Sequence, residues 1–310
     1  MPVPDTTPLV IAVLTFRRPD DLAAILPALV TQARSSTIPA SVVVVDNDPA
    51  ASARAFVTAQ DPTMVRYVHE PEPGIAAARS RAMTEAGASR LLVFIDDDER
   101  PTEGWLNHLL ATQRRTGAAA VVGPVISEYA HPPDPWISAG NFFTRRRMPT
   151  GTAVTVAATN NLLLDLEQVR HFGLAFDRRY GLLGGEDTLF TRRLSQQGGK
   201  IVWCNEAVVV DRVPANRLTR SWVLHRAFSS GNSWSRVSLE LASTTVTRVL
   251  GRIRLVLAGL MRIAGGSARV VPGVVGRSLT WQARGARTVA RGAGMVSGAI
   301  GYVYREYRRT

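Results

Sequence analysis

The chain has 310 residues and a net charge of +12, with 45% hydrophobic and 20% charged residues. That composition excludes global disorder and fits one large domain with an appendage. Cys204 is the only cysteine, so an intrachain disulfide and a cysteine-rich zinc site are excluded, and residues 1–5 lack the basic and apolar parts of a secretory signal, so a reducing cytosolic setting is expected.

Residues 9–14 are a short apolar run that predicts a strand, and 20–33 a helix opened by Pro19 and acidic residues. The β-branched run 42–45 predicts a second strand, ended by Asp46-Asn47-Asp48-Pro49. A third at 64–69 leads through a 70–74 turn into an Ala-rich helix ending near Ala86. A fourth at 91–95 ends in Asp96-Asp97-Asp98-Glu99, and a helix at 105–115 precedes a fifth strand at 118–122. Continuous apolar strands alternating with helices predict an α/β fold of Rossmann-like type, a mostly parallel sheet with helices on both faces.

Residues 127–152 read as an irregular loop, with Pro132, Pro133 and Pro135 and an Arg145-Arg146-Arg147 cluster whose default reading is a solvated charge run. Strand character resumes at 154–158 and 161–164. A Gly-rich loop at 181–186, a helix at 187–196 and strands at 201–204 and 207–210 follow. Ser229-Ser230-Gly231-Asn232-Ser233 reads as a loop or a helix break, because no strand leads into it as a hydrolase elbow requires. Composition changes near Pro214, which divides the chain into a domain at 1–215 and a basic helical region at 216–310.

Ligands of a parallel sheet bind outside the carboxyl ends of its strands. Asp46-Asn47-Asp48 and Asp96-Asp97-Asp98 are acidic clusters at two such ends. Consecutive carboxylates repel one another, and Mg²⁺ or Mn²⁺ bound with substrate phosphates would relieve that; a solvated turn capping the next helix is the alternative. Asp46 could accept a hydrogen bond from a nucleobase, and Arg17, in the Thr15-Phe16-Arg17-Arg18-Pro19 run, could face a phosphate. No G-x-G-x-x-G follows the first strand and no Walker motif occurs. Gly184-Gly185-Glu186-Asp187 would bring backbone and two carboxylates to a ligand at a helix N-terminus, or would simply cap that helix. The five histidines have no metal-binding spacing.

As a set, Thr15–Pro19, Val42–Asp48, Phe94–Glu99, Trp105-Leu106 and Gly184–Asp187 resemble family 2 glycosyltransferases of the GT-A fold, over residues 8–236. The run 117–125 and Val213-Pro214-x-Asn216-Arg217 are similar to bacterial exopolysaccharide enzymes of the succinoglycan glucosyltransferase type. The resemblance implies inverting transfer from a nucleotide-sugar, often a UDP-sugar, to a hydroxyl of a lipid-linked or polysaccharide acceptor. It implies Asp187 as catalytic base, with Glu186 as acceptor-binding residue and second candidate base. Donor binding would fall to Thr15, Arg17, Asp46, Asp96, Asp97, Asn161 and Gly185, with Asn160 near the sugar. A divalent cation, Mn²⁺ or Mg²⁺, would be held by Asp98 and Asp96. Relatives carry a histidine where this chain reads Val208-Val209-Val210-Asp211-Arg212, so Asp211 is a candidate third ligand, alongside its reading as a strand-ending Asp paired with an Arg. An inactive scaffold of the same fold is the rival reading.

The charge is unevenly placed. Residues 1–213 carry 21 basic and 23 acidic side chains, whereas 214–310 carry 16 arginines against Glu240 and Glu306. Between 244 and 264 no stretch is long and neutral enough to span a bilayer. On a helical wheel Arg248, Arg252, Arg254 and Arg262 share an arc of roughly 160°, opposite an apolar face. That pattern predicts a helix at an anionic membrane surface, and hence a peripheral protein on the inner face of the plasma membrane; helices packed on the catalytic domain with solvated arginines are the alternative. Charge-free residues 292–304, followed by Arg305, Arg308 and Arg309 among tyrosines, predict a second interfacial edge. Nucleic acid is not an expected partner, since it leaves the apolar face without a role.

Overall fold

The computed structural model describes residues 8–304. The first strands and helices are β1 (Leu9–Thr15), α1 (Pro19–Arg34), β2 (Ala40–Asp46), α2 (Arg54–Thr58), β3 (Val65–His69), α3 (Ile75–Glu85), β4 (Leu91–Asp96), β5 (Glu99–Pro101) and α4 (Trp105–Thr116). There follow β6 (Ala120–Val122), β7 (Val125–Tyr129), α5 (Pro135–Gly140), β8 (Ala153–Val154), β9 (Asn161–Asp165), α6 (Leu166–His171), α7 (Glu186–Gln196), β10 (Ile201–Trp203) and β11 (Val209–Val213). Three long helices end the chain: α8 (Arg220–Glu240), α9 (Thr245–Val275) and α10 (Leu279–Ala299).

An eight-stranded sheet has the order β3-β2-β1-β4-β9-β6-β10-β8. The pairs β1–β2, β1–β4, β2–β3 and β6–β10 are parallel, while β9 and β8 run antiparallel to their neighbours. The sheet is therefore mostly parallel, as expected. Alternating side chains explain its two faces. Leu9, Ile11 and Val13 of β1 join Leu22, Ile25 and Leu26 of α1 and Trp105 and Leu109 of α4 in one core. Val10, Ala12 and Leu14 join Ala78 and Ala82 of α3 and Phe190 and Leu194 of α7 in the other. A second, three-stranded sheet has the order β5-β11-β7.

Register fixes the site. In-phase pairing sets Thr15 opposite Asp46, Leu14 opposite Asp96 and Asp46 opposite His69. The carboxyl ends of β1, β2 and β4 thus share one edge.

The chain forms two compact units. One comprises the described residues through Ile126 with Arg145–Gly181 and Glu186–Asp211; the other comprises Ser127–Thr144, Leu182–Gly185 and the residues from Arg212 onward. In the second unit α10 packs against α8, α9 and α5. Trp136 stacks on Phe142, and Phe143 on Trp222.

Several expectations are corrected. The 127–152 loop contains the end of β7 and helix α5, because Asp134 caps the helix and Pro135 suits its first turn. Strand 154–158 shrinks to β8. Ser229–Ser233 is no break: it lies inside α8, where Gly231 allows close approach to the α10 backbone at Arg291 O. Helix α9 continues past residue 264 to Val275, and in that continuation its one basic residue is Arg269. Among the described residues it is the one helix long and apolar enough to cross a membrane, by length and composition alone. The charge-free run at 292–304 belongs to α10 only as far as Ala299, and Arg305, Arg308 and Arg309 lie outside the described residues.

Candidate active site

The turn after β1 reaches both acidic strand ends. Arg17 adopts a left-handed φ of 55°, and its Nε lies 3.2 Å from Asp48 Oδ1. Arg18 follows, with one nitrogen, Nη1, 2.8 Å from Asp97 Oδ1 and 2.9 Å from Asp98 Oδ2. Thr15 is buried and its hydroxyl donates to Asp97. Burial pushes the Asp97 carboxyl up to about 7, against the pull of Arg18. Burial pushes Asp48 up as well, but hydrogen bonds from Ser52 and the Ala50 N–H, with Arg17, leave it below its ordinary value.

Asp46 is wholly buried. Its Oδ1 accepts from Asp48 N at 3.0 Å, and its Oδ2 from Ala53 N at 2.8 Å and the Tyr67 hydroxyl at 3.1 Å. These bonds organise the turn after β2. Asn47 ties that turn to the next: its Nδ2 donates to Glu70 O and Glu72 O, and its Oδ1 accepts from Gly74 N. Asn161 is likewise taken up internally. Its Nδ2 donates to Ala207 O and Pro124 O, and its Oδ1 accepts from Trp105 Nε1 at 2.9 Å. The residue is completely buried. Asn160 is half-buried and donates to Glu99 Oε1 at 2.6 Å.

Glu99 is a buried carboxyl missed in the sequence. It accepts from Asp96 N at 3.3 Å and sits opposite Asp211 on the β5–β11 ladder. Burial and the neighbouring Asp96 raise it well above the usual range. Asp96 is raised by burial too, with Arg79 the strongest counteracting charge. Arg145 Nη2 lies 2.6 Å from Asp211 Oδ2, and Arg147 donates to Asn205, so two arginines of this exposed cluster reach partners across the fold.

Glu186 and Asp187 open α7, where acidic side chains meet the positive end of the helix. The two neighbours differ. Glu186 is 3% exposed and pairs through Oε1 with Arg79 of α3, while its Oε2 is buried without a hydrogen-bond partner. Asp187 is half-buried, and its Oδ1 accepts from the Thr188 hydroxyl at 3.2 Å. Gly185, just before the helix, has φ 95°, and a Cβ there would meet Ser233 of α8 at 3.2 Å.

The oxygen-only donors at the end of β4 have the chemistry a hard divalent cation requires, and Asp98 is only partly shielded. Among the described residues, however, no three His, Cys, Asp or Glu side chains converge as a cage, and Asp211 is held by Arg145 rather than gathered with Asp98. Asp98 is likewise paired, with Arg18, and Asp96, Asp98 and Asp211 all offer the oxygen donors that a hard cation takes.

In fold, the chain stands among the GT-A glycosyltransferases. Similar in fold are GalNAc-T7, crystallised with UDP, GalNAc and Mn²⁺ (TM-score 0.56, 12% identity, 76% of this chain and 48% of that one), and TarS of S. aureus (TM-score 0.53, 13% identity, 82% and 43%). A TarS 1–349 structure is covered more fully (TM-score 0.51, 13% identity, 91% and 90%). The chain thus spans about half the length of the GalNAc-T7 chain. Residues 10–165 match the sequence profile of Glycosyl transferase family 2. Over 241 residues, 77% of each protein, the chain is 36% identical to succinoglycan biosynthesis protein ExoM of Rhizobium meliloti (strain 1021). The chain belongs to glycosyltransferase family 2.

Proposed function

We propose that this glycosyltransferase is an inverting enzyme that moves a sugar from a UDP-sugar to a hydroxyl of a lipid-linked or polysaccharide acceptor, with a divalent cation, at the inner face of the plasma membrane. The observation that carries the reading is the division of labour at the start of α7: Glu186 is buried against Arg79, whereas Asp187 stays accessible. The likeness to a succinoglycan biosynthesis protein supports a cell-surface glycan as product.

Inversion needs one in-line displacement at the anomeric carbon. Asp187 takes the proton of the attacking hydroxyl as the new bond forms. The departing diphosphate gains charge at the shared strand edge, where Arg18 stands at the end of β4 and Arg17 at the end of β2. Asp96 and Asp98 would hold Mn²⁺ or Mg²⁺, which when bound supplies Lewis-acid stabilisation of the leaving diphosphate. The leaving group is good, so a second catalytic carboxylate is not required.

The test is Asp187→Asn. It abolishes transfer, by about 10²-fold or more for loss of a general base, while UDP binding measured by calorimetry persists. Chelation with EDTA suppresses turnover, and Mn²⁺ restores it. Full activity in Asp187→Asn, or turnover indifferent to EDTA, overturns the reading.

A further inference from the structure

Helix α3 carries one charged residue on its buried face. Its buried positions are Ala76, Ala77, Ala78, Arg79 and Ala82, and Arg79 is 5% exposed. The guanidinium pairs with Glu186 and lies 5.8 Å from the centroid of the Phe176 ring. Phe176 stacks on Phe190 of α7 at 4.3 Å and meets Phe94 of β4 edge-on at 5.8 Å. Arg79 therefore stands where α3, β4 and α7 converge. Helix α3 is itself anchored: Gly74, at φ 128°, packs so closely on Gly181 that a Cβ would come within 3.1 Å of its Cα, and Ile75 N donates to Gly181 O.

We infer that Arg79 is a positioning residue for sugar transfer: it holds Glu186 by one oxygen and so fixes the first turn of α7, which carries Asp187, against the Asp96 end of β4. The inference rests on the transferase reading above. A buried carboxylate keeps its charge only beside a compensating partner. Arg79 is the charge that draws the Glu186 carboxyl back, although burial still pushes it up to about 7, and the other oxygen of Glu186 meets no donor. Without it Glu186 would take up a proton or turn away, and Asp187, the next residue, would move with it. Misplacement by about 1 Å of a group that must touch a reacting proton costs on the order of 10² in rate. On this inference the effect of Arg79 falls on turnover rather than on UDP affinity.

Four variants test this: Arg79→Lys, Arg79→Met, Glu186→Gln and the double variant Arg79→Met/Glu186→Gln. The double variant replaces a buried ion pair by two neutral side chains, and it keeps the test open if Arg79→Met alone does not fold. Transfer is assayed with the UDP-sugar that the wild type turns over, and UDP affinity is measured by calorimetry. Expected are a fall in kcat of about 10-fold in Arg79→Lys and about 10²-fold in Arg79→Met. UDP affinity stays within about threefold, and the double variant is no slower than Arg79→Met because both act through one contact. Loss of UDP affinity in step with kcat would make Arg79 a nucleotide ligand and overturn the inference. So would additive effects in the double variant, or wild-type kcat in a folded Arg79→Met. A wild type that transfers from no nucleotide-sugar defeats the transferase reading itself, and this inference with it; an active wild type beside unaffected variants defeats only the inference.

Discussion

Buried carboxyls are unusually frequent at the strand-end site, and their environments set the pH behaviour of the protein. Asp97 is the clearest case, buried at 4% exposure and pushed up to about 7 from 3.8. Its folded-state value lies above its unfolded one, so between pH 4 and 7 the folded protein holds a proton that the unfolded chain has lost. The contribution to stability is complete below pH 4 and declines as pH rises toward 7, with an upper bound of about 4 kcal/mol for that interval. Asp48 and Asp177 are shifted the other way and weaken the fold on acidification, so the readout must be a difference. Thermal unfolding of the wild type and Asp97→Asn across pH 4–8 should show the wild type's relative stability falling up to pH 7 and level above it. A relative stability that rises with pH would contradict the assignment. The same scale explains which site residues were legible in the sequence. Acidic residues at strand ends were visible as a pattern, but whether a carboxylate faces a ligand or a backbone N–H is decided by the turn. Asp46 and Asn161 met backbone groups, and no local signal announced it. Arg79 left only a faint trace, an arginine on the apolar stripe of an Ala-rich helix.

At the level of elements, the parallel strands were readable nearly to the residue because central strands buried on both faces are continuous apolar runs. The helical region was less legible, because its packing relies on glycine, which reads locally as a breaker. Helices α9 and α10 meet through reciprocal glycine pairs: a Cβ on Gly259 would come within 2.9 Å of Gly292 O, and one on Gly285 within 2.8 Å of Gly266 O. Two adjacent glycines of α9 therefore respond oppositely to the same substitution. At Gly266 a Cβ would lie 2.8 Å from Gly285 O and 2.9 Å from Val289 N, backbone atoms that cannot yield cheaply. At Gly265 nothing lies within 4 Å. Gly266→Ala should destabilise the helical unit by about 1–3 kcal/mol through overpacking. Gly265→Ala should stabilise it by up to about 1 kcal/mol through helix propensity. Chemical denaturation followed by helical circular dichroism measures both, and equal effects at the two sites would refute the glycine-mediated packing.

For the molecule as a whole, the net charge conceals a nearly neutral front portion and a strongly basic remainder. The structure adds where the apolar counterpart of that charge lies. Val249, Leu250, Ile253, Leu257, Leu260 and Met261 of α9 remain exposed, although α9 already uses Gly259, Gly266 and Gly273 against α10. An arginine-bearing helix with an exposed apolar stripe is suited to an anionic bilayer: the charge attracts, at about 1 kcal/mol per basic residue near the surface, and the stripe enters the interface. Duplex nucleic acid offers the first of these and not the second. The full chain should therefore co-sediment with phosphatidylglycerol-containing vesicles and far less with phosphatidylcholine vesicles. Replacing Arg248, Arg252, Arg254 and Arg262 together by Gln should weaken that binding at least tenfold. Raising salt to about 0.5 M should weaken wild-type binding, because the Debye length then falls well below its physiological value of about 8 Å. Carbonate at alkaline pH separates the two membrane arrangements that the length of α9 permits: release from membranes fits an interfacial helix, whereas retention would mean that Thr245–Val275 spans the bilayer.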